Sequence, residues 1–352
     1  MTAVTIDRVR AVRSPLSYTE TKLLKVWTLA HVVLLVIIYQ LDSMSHRTFD
    51  QTVQAWDANI FQNIAQYGYF RHASTPNSEA FFPGYPQLLK LTHDLTAGNW
   101  VVAELLLAYV AGAIALVGIA RLHPATPKLL LLSPAAVFLM VGYTESPYLA
   151  FAVWAWLMCR RREYVWAAIL LGGSCIIRVD GLFLWAALSV MAGRQWWRLL
   201  PSLFLPGLYE LYLWTKTGSW LAWSHAETKG WGRQTHTPWA TWKTSWSYAG
   251  WAGGSYGAEE KVEIFCAIVM VVATILFAVD RDWAAMIYCG ITTTTLITST
   301  MYMSIPRALL VMFPIWVRLG RCTETVRWGW LSVSAPLMVM ISYFYLTGQW
   351  AG

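Results

Sequence analysis

Apolar runs of helical length recur along the chain, near residues 23–41, 99–120, 128–142, 146–159, 164–177, 181–193, 199–214, 262–279, 283–303, 307–317 and 328–346. A straight transmembrane helix needs about 20 apolar residues. The pattern predicts an all-α polytopic membrane protein with about eleven (nine to eleven) spanning helices. The shorter runs leave room for tilted, broken or re-entrant segments. Two long polar segments, 42–98 and 215–261, interrupt the pattern. Loops that long are usually functional, so any chemistry is expected there. The chain shows no internal repeat and no second soluble domain, so 1–352 reads as one integral membrane domain.

Composition agrees. The 352 residues are 57% hydrophobic and 13% charged, against about 25% charge in a soluble protein. The 22 Trp and 17 Tyr suit many membrane–water interfaces. A net charge of +7 raises the question of a nucleic acid partner. The basic residues sit instead at the ends of apolar runs, which marks topology, and no nucleic acid is expected. Five scattered cysteines, with no C-x-x-C, predict neither a disulfide framework nor a zinc site. The polar segment 1–22 runs into an apolar helix without an A-x-A site, which predicts a cytosolic tail and a retained first helix.

With the N-terminus inside, sixteen of the 26 Lys and Arg fall on inner segments, including Arg160-Arg161-Arg162. Both long polar segments then face outside, and so do Asp57, Glu79, Glu145, Arg178, Arg233 and Arg307.

In the first outer segment, apolar positions 53, 56, 60, 61 and 64 share one helical face, predicting a helix in the interface plane. Asp57 lies at the edge of that face, as an N-cap or solvated carboxylate on the plain reading. Glu79-Ala80-Phe81-Phe82-Pro83-Gly84-Tyr85-Pro86 makes a rigid bend among aromatics.

The string W-D-x-x-x-F-x-x-I-A-x-x-G-Y from Trp56 to Tyr69, followed by E-A-F-F-P-G-Y-P, resembles the PIG-V family. That family comprises mannosyltransferases adding the second mannose of the GPI anchor, with bacterial relatives, within the GT-C superfamily of polytopic glycosyltransferases. Leu132-Ser133-Pro134-Ala135 with Tyr143-Thr144-Glu145-Ser146-Pro147 is similar to its S-P-A…Y-T-E-S stretch. Arg178-Val179-Asp180-Gly181 resembles its R-x-N-G with Asp for Asn. Trp231-Gly232-Arg233…Pro238 and Pro306-Arg307…Phe313-Pro314 resemble its W-G-R…P and P-R…F-P segments. Where the family has an upstream Gln, Glu227 lies nearby.

The resemblance implies a GT-C-type bundle and an α-mannosyltransferase. Its partners would be a polyprenyl-phosphate (dolichyl-phosphate-type) mannose donor, membrane lipid and a glycolipid or protein acceptor. Asp57 matches the family's acid and is the expected general base of an inverting displacement. Arg178, Arg233 and Arg307 are candidates for the leaving phosphate, because a guanidinium is always charged and binds oxyanions bidentately. The competing roles are ion pairing to Asp180 or Glu145 for Arg178 and snorkelling at a span end for Arg307.

Glu145 is read mainly as a helix-start acid ahead of a Ser146-Pro147 cap. Glu79, Glu145, Trp231 and His225 are candidates for substrate positioning. The tryptophans of 215–261 read mostly as an interfacial belt, and its histidines as exposed. Asp280-Arg281-Asp282 falls on the inner side and reads as a solvated turn. No metal cofactor is expected, with a divalent cation left open. The chain is short for the family and carries no retrieval signal, which favours a bacterial plasma membrane with an extracytoplasmic active site over the endoplasmic reticulum membrane. The rival classes are a lipid or sugar transporter, which should show repeated halves and a midplane polar site, and a non-catalytic family member serving as scaffold.

Overall fold

The computed structural model describes residues 16–44 and 47–351, and the expected tail therefore lies largely outside the described residues. Everything described is helical or irregular, with no strand. Among the described residues four helices are long and apolar enough to cross a membrane: α1 (Tyr18–Met44), α5 (Trp100–Leu122), α13 (Gly254–Val279) and α17 (Glu324–Leu346). Two more, α8 (Tyr164–Ile177) and α14 (Trp283–Ile297), are apolar but shorter. They form a polytopic framework; eleven full spans are not seen.

The difference has a local cause. Proline removes a backbone donor and clashes with the preceding turn. The run 128–142 is divided by Pro134 into α6 (Thr126–Leu131) and a 3-10 turn, Ala136–Leu139. The run 199–214 begins as the 3-10 segment Gly193–Leu203, which contains Pro201, and only then becomes α10 (Phe204–Thr217). The run 307–317 splits at Met312, just ahead of Pro314, into α15 (Ile305–Val311) and α16 (Phe313–Gly320).

The first polar segment folds as α2 (Phe49–Val53), α3 (Asp57–Tyr67) and α4 (Gly84–Leu95). The continuous face predicted from 53 to 64 is thus broken: Val53 and Trp56 precede the helix that carries Phe61 and Ile64. The second polar segment holds α11 (Ala222–Trp231) and α12 (Pro238–Trp251).

Caps explain several starts. Asn99 Oδ1 accepts from Val102 N at 3.0 Å to open α5, and Asp282 Oδ1 accepts from Ala285 N at 3.3 Å to open α14. Between α5 and α14 lie α7 (Glu145–Arg160) and α9 (Asp180–Ala192). Helix α7 packs on both α5 and α8, and α9 packs on α14. One apolar core runs through these helices and reaches α3 and α4. Gly84 permits the closest approach there, since a Cβ on it would stand 2.5 Å from the Ile176 carbonyl oxygen.

Candidate active site

Asp57 is placed by a strained turn. Trp56, just before α3, has φ +57° and ψ −120°, a conformation costly for a residue with a side chain. The turn is held from several sides. Tyr345 Oη donates to Val53 O at 2.9 Å, and Tyr143 Oη donates to Ala55 O at 3.0 Å. The Trp56 ring meets Trp350 edge-on, with centroids 5.1 Å apart. The strain is therefore carried by the packed core, and the Asp57 carboxylate projects from a fixed backbone.

Its partner comes from α15. Arg307 Nη1 donates to Asp57 Oδ2 at 2.9 Å, and Arg307 Nε donates to Glu145 Oε1 at 2.8 Å. The guanidinium also lies over the Tyr143 ring, 4.6 Å from its centroid. Helix α15 starts where it does because Glu263 of α13 caps it. Ser304 N and Ile305 N donate to the two Glu263 carboxylate oxygens at 2.9 and 2.7 Å. Ser304, at φ +62°, completes that sharp entry.

Glu145 is the hinge of a longer network. Its Oε1 also accepts from Arg178 Nη1 at 3.1 Å, while Arg178 Nε donates to Asp180 Oδ2 at 2.9 Å. Arg178 Nη1 further donates to Thr144 Oγ1 at 2.8 Å. Three carboxylates and two guanidinium groups alternate from Asp57 to Asp180, a net charge of minus one. Both Arg178 and Arg307 are thus already neutralised by protein carboxylates. Helix α7 begins at Glu145, two residues earlier than the Ser146-Pro147 signal suggested, and Ser146 Oγ instead donates to Leu139 O at 2.7 Å. Arg307 is buried in ion pairs, so the snorkelling alternative is corrected: a guanidinium with two carboxylates at hand is better satisfied inside than at a span end.

Above the network lies a cavity of 320 Å³, inside the usual range of roughly 300–1,000 Å³ for small-molecule sites. Asp57, Arg178, Asp180, Arg307, Trp231 and Arg233 all line it. Glu145 lies beneath, fully buried. Arg233 Nε faces Glu227 Oε2 at 3.3 Å, and Glu227 lines the cavity as well. Burial pushes the Glu227 carboxyl above the usual carboxylate range, Arg233 works against that shift, and Asp57 adds to it.

Two positioning candidates stand elsewhere. Glu79 does not line the cavity, and its backbone carbonyl accepts from Tyr209 Oη at 2.7 Å. His225 is exposed on α11 and also lies off the cavity. Helical phase decides this: Trp223, Glu227 and Trp231, at i, i+4 and i+8 of α11, line the cavity, whereas His225, two residues after Trp223, is turned about 200° away.

Trp220, Trp239, Trp246 and Trp251 are exposed. Trp231 meets Phe81 edge-on at 5.0 Å, and Trp223 Nε1 donates to Ala80 O at 2.9 Å. Sequence reasoning placed Trp223 in the interfacial belt and missed Trp350 and Glu263. For Glu263 a signal existed, because an acid inside an apolar run needs a partner. Trp350 lies nearly three hundred residues from Trp56 and gave none. Asp280 pairs with Arg318 at 2.9 Å, away from the cavity. Among the described residues no group of three or more His, Cys, Asp or Glu side chains is arranged to hold a metal ion.

Over 65 residues, 18% of its length, the chain is 38% identical to GPI mannosyltransferase 2 of Yarrowia lipolytica. The match likewise spans 18% of that protein. No family model matches the chain, and no solved structure does. The local similarity, together with the apolar spanning helices, supports a membrane protein of mannosyltransferase-like character.

Proposed function

We propose that the chain is an inverting GT-C-type glycosyltransferase of the PIG-V kind. It would move mannose from a polyprenyl-phosphate donor to a hydroxyl of a glycolipid or protein acceptor on the extracytoplasmic side of the membrane. The observation that carries the reading is Asp57: a carboxylate on a fixed, strained turn, held through Oδ2 by Arg307 at the wall of a cavity large enough for a sugar. The similarity to a mannosyltransferase supports the sugar.

In this reading the acceptor hydroxyl gives its proton to Asp57 Oδ1 as its oxygen bonds the anomeric carbon. The bond from that carbon to the donor phosphate breaks on the opposite face, and polyprenyl phosphate leaves. A base so placed contributes roughly 10²–10⁴-fold. The ion-pair network divides the arginines by role. Arg307 and Arg178 are held by carboxylates and set the geometry of Asp57 and Asp180. Arg233, with a single partner at 3.3 Å, is the guanidinium able to turn to the phosphate. Phe81, Trp223 and Trp231 offer apolar faces to the sugar and the proximal prenyl units.

The test is transfer of radiolabel from polyprenyl-phosphate mannose to a membrane-lipid extract by the protein in nanodiscs. Transfer by the wild type supports the reading. A wild type that neither binds nor consumes the donor overturns it and favours a transporter or scaffold.

A further inference from the structure

A second cavity, of 260 Å³, lies at the other end of the bundle. Helix α13 relates the two. Its Glu263 braces the Asp57 site, and its Phe277 lines the second cavity. Fourteen residues of helix put these positions about 21 Å apart along the axis. The floor is apolar and almost wholly buried: Trp156, Phe277 and Phe313, with Trp156 set edge-on to Phe313 at 5.3 Å.

The rim is basic. Arg160 from the end of α7, Arg318 from the end of α16 and Arg321 just beyond it converge on the opening. One acid, Asp282, also lines the cavity, and its Oδ1 caps α14. Arg318 Nε and Nη2 both meet Asp280 Oδ2 at 2.9 Å, where Asp280 is half exposed. The positive field is felt nearby: burial and then Arg321 and Arg327 hold the His123 imidazole below its usual value. Trp283 and Val279 stand exposed beside the opening, the former an aromatic anchor for a membrane–water boundary.

An apolar floor under a ring of guanidinium groups, at the level where spans α5 and α13 end, matches one kind of molecule. We propose that this cavity binds an anionic membrane phospholipid, its phosphate held by Arg160, Arg318 and Arg321 and its chain lying against Trp156 and Phe313. Guanidinium groups pair bidentately with phosphate oxygens, and the apolar floor takes the first methylenes out of water. Neither element depends on glycosyl transfer at the Asp57 cavity. The two sites face opposite ends of the same helices, so lipid bound here would brace α7, α14 and α16 from below.

The experiment is native mass spectrometry of the full chain released from phosphatidylcholine nanodiscs that contain graded phosphatidylglycerol. The wild type is expected to retain one phosphatidylglycerol. Each arginine removed should weaken retention about fivefold, so Arg160→Gln with Arg321→Gln should weaken it about twenty-fivefold. Met191→Phe, which narrows the cavity and keeps every charge, should also weaken it. Arg281→Gln, a neighbouring basic residue off the cavity, should leave it unchanged.

Equal loss in Arg281→Gln would mean a diffuse basic surface and overturn the proposal. So would undiminished retention in Met191→Phe, or displacement of the lipid by millimolar inorganic phosphate. If the double variant fails to fold, Arg321→Gln alone together with Met191→Phe decides the matter.

Discussion

Arg307 and Asp57 lie 250 residues apart in sequence and meet at 2.9 Å. One is set by the Glu263 cap of a short helix and the other by a strained turn at Trp56. Asp57→Asn keeps the size of the side chain and removes the charge that takes a proton. Transfer should fall by about 10²–10⁴-fold, with donor binding retained. The check is single-turnover transfer beside donor binding in the same nanodiscs. Undiminished transfer would remove Asp57 from the chemistry.

Glu145 is the shared acceptor of two guanidinium groups and is fully buried. Its removal leaves two buried cations each short of a partner. Glu145→Gln should destabilise the fold by about 3–5 kcal/mol. Thermal melting in detergent reads this as a clear drop in Tm. Because Glu145 lies below the cavity, its effect should appear in stability before donor KM.

The Glu227–Arg233 pair predicts a pH dependence. Burial raises the Glu227 carboxyl in the folded protein. The sign follows: the neutral form is favoured in the folded state, so this contribution to stability is full at low pH and is lost as pH rises through the raised value. Protonation also releases Arg233. Donor KM should therefore fall as pH drops through the window just above the usual carboxylate range. In Glu227→Gln that slope should vanish. KM profiles of the two proteins, taken at constant ionic strength, settle it.

Gly84 touches the Ile176 backbone where α4 meets α8. Gly84→Ala adds a methyl that backbone cannot avoid. A loss of about 1–3 kcal/mol is expected from overpacking, seen as a lower Tm with the wild-type pH profile for donor KM. A neutral result would show that α4 shifts freely against α8.

The grouping of acids and arginines into one site was partly legible in the sequence. Asp57, Arg178, Arg233 and Arg307 were singled out by the resemblance of their motifs to those of the PIG-V family, and for arginines near membrane depth by the rule that such charge faces a cavity or a partner. Both carboxylate partners of Arg178, Asp180 and Glu145, were anticipated, while the partners of Arg307 and Asp57 were not. Arg178 had Asp180 two residues away, yet its link to Glu145, and through it to Arg307, depends on α7, α9 and α15 arriving side by side. Glu79 and His225 stood beside Trp231 as positioning candidates, His225 read mainly as exposed, and helical phase does turn His225 outward.

The sequence by itself determined the all-helical, membrane-crossing character, because apolar length and periodicity act over neighbouring residues. The breaks at Pro134, Pro201 and Pro314 lay inside runs read as spans, although a proline acts within a single turn. Only the tertiary structure decided how the charges neutralise one another, that Trp56 packs against Trp350 at the cavity wall, and that a basic cavity stands at the far end of α13. Those relationships join residues tens to hundreds of positions apart. Their geometry is fixed by side-chain packing across the whole bundle, which no local pattern encodes.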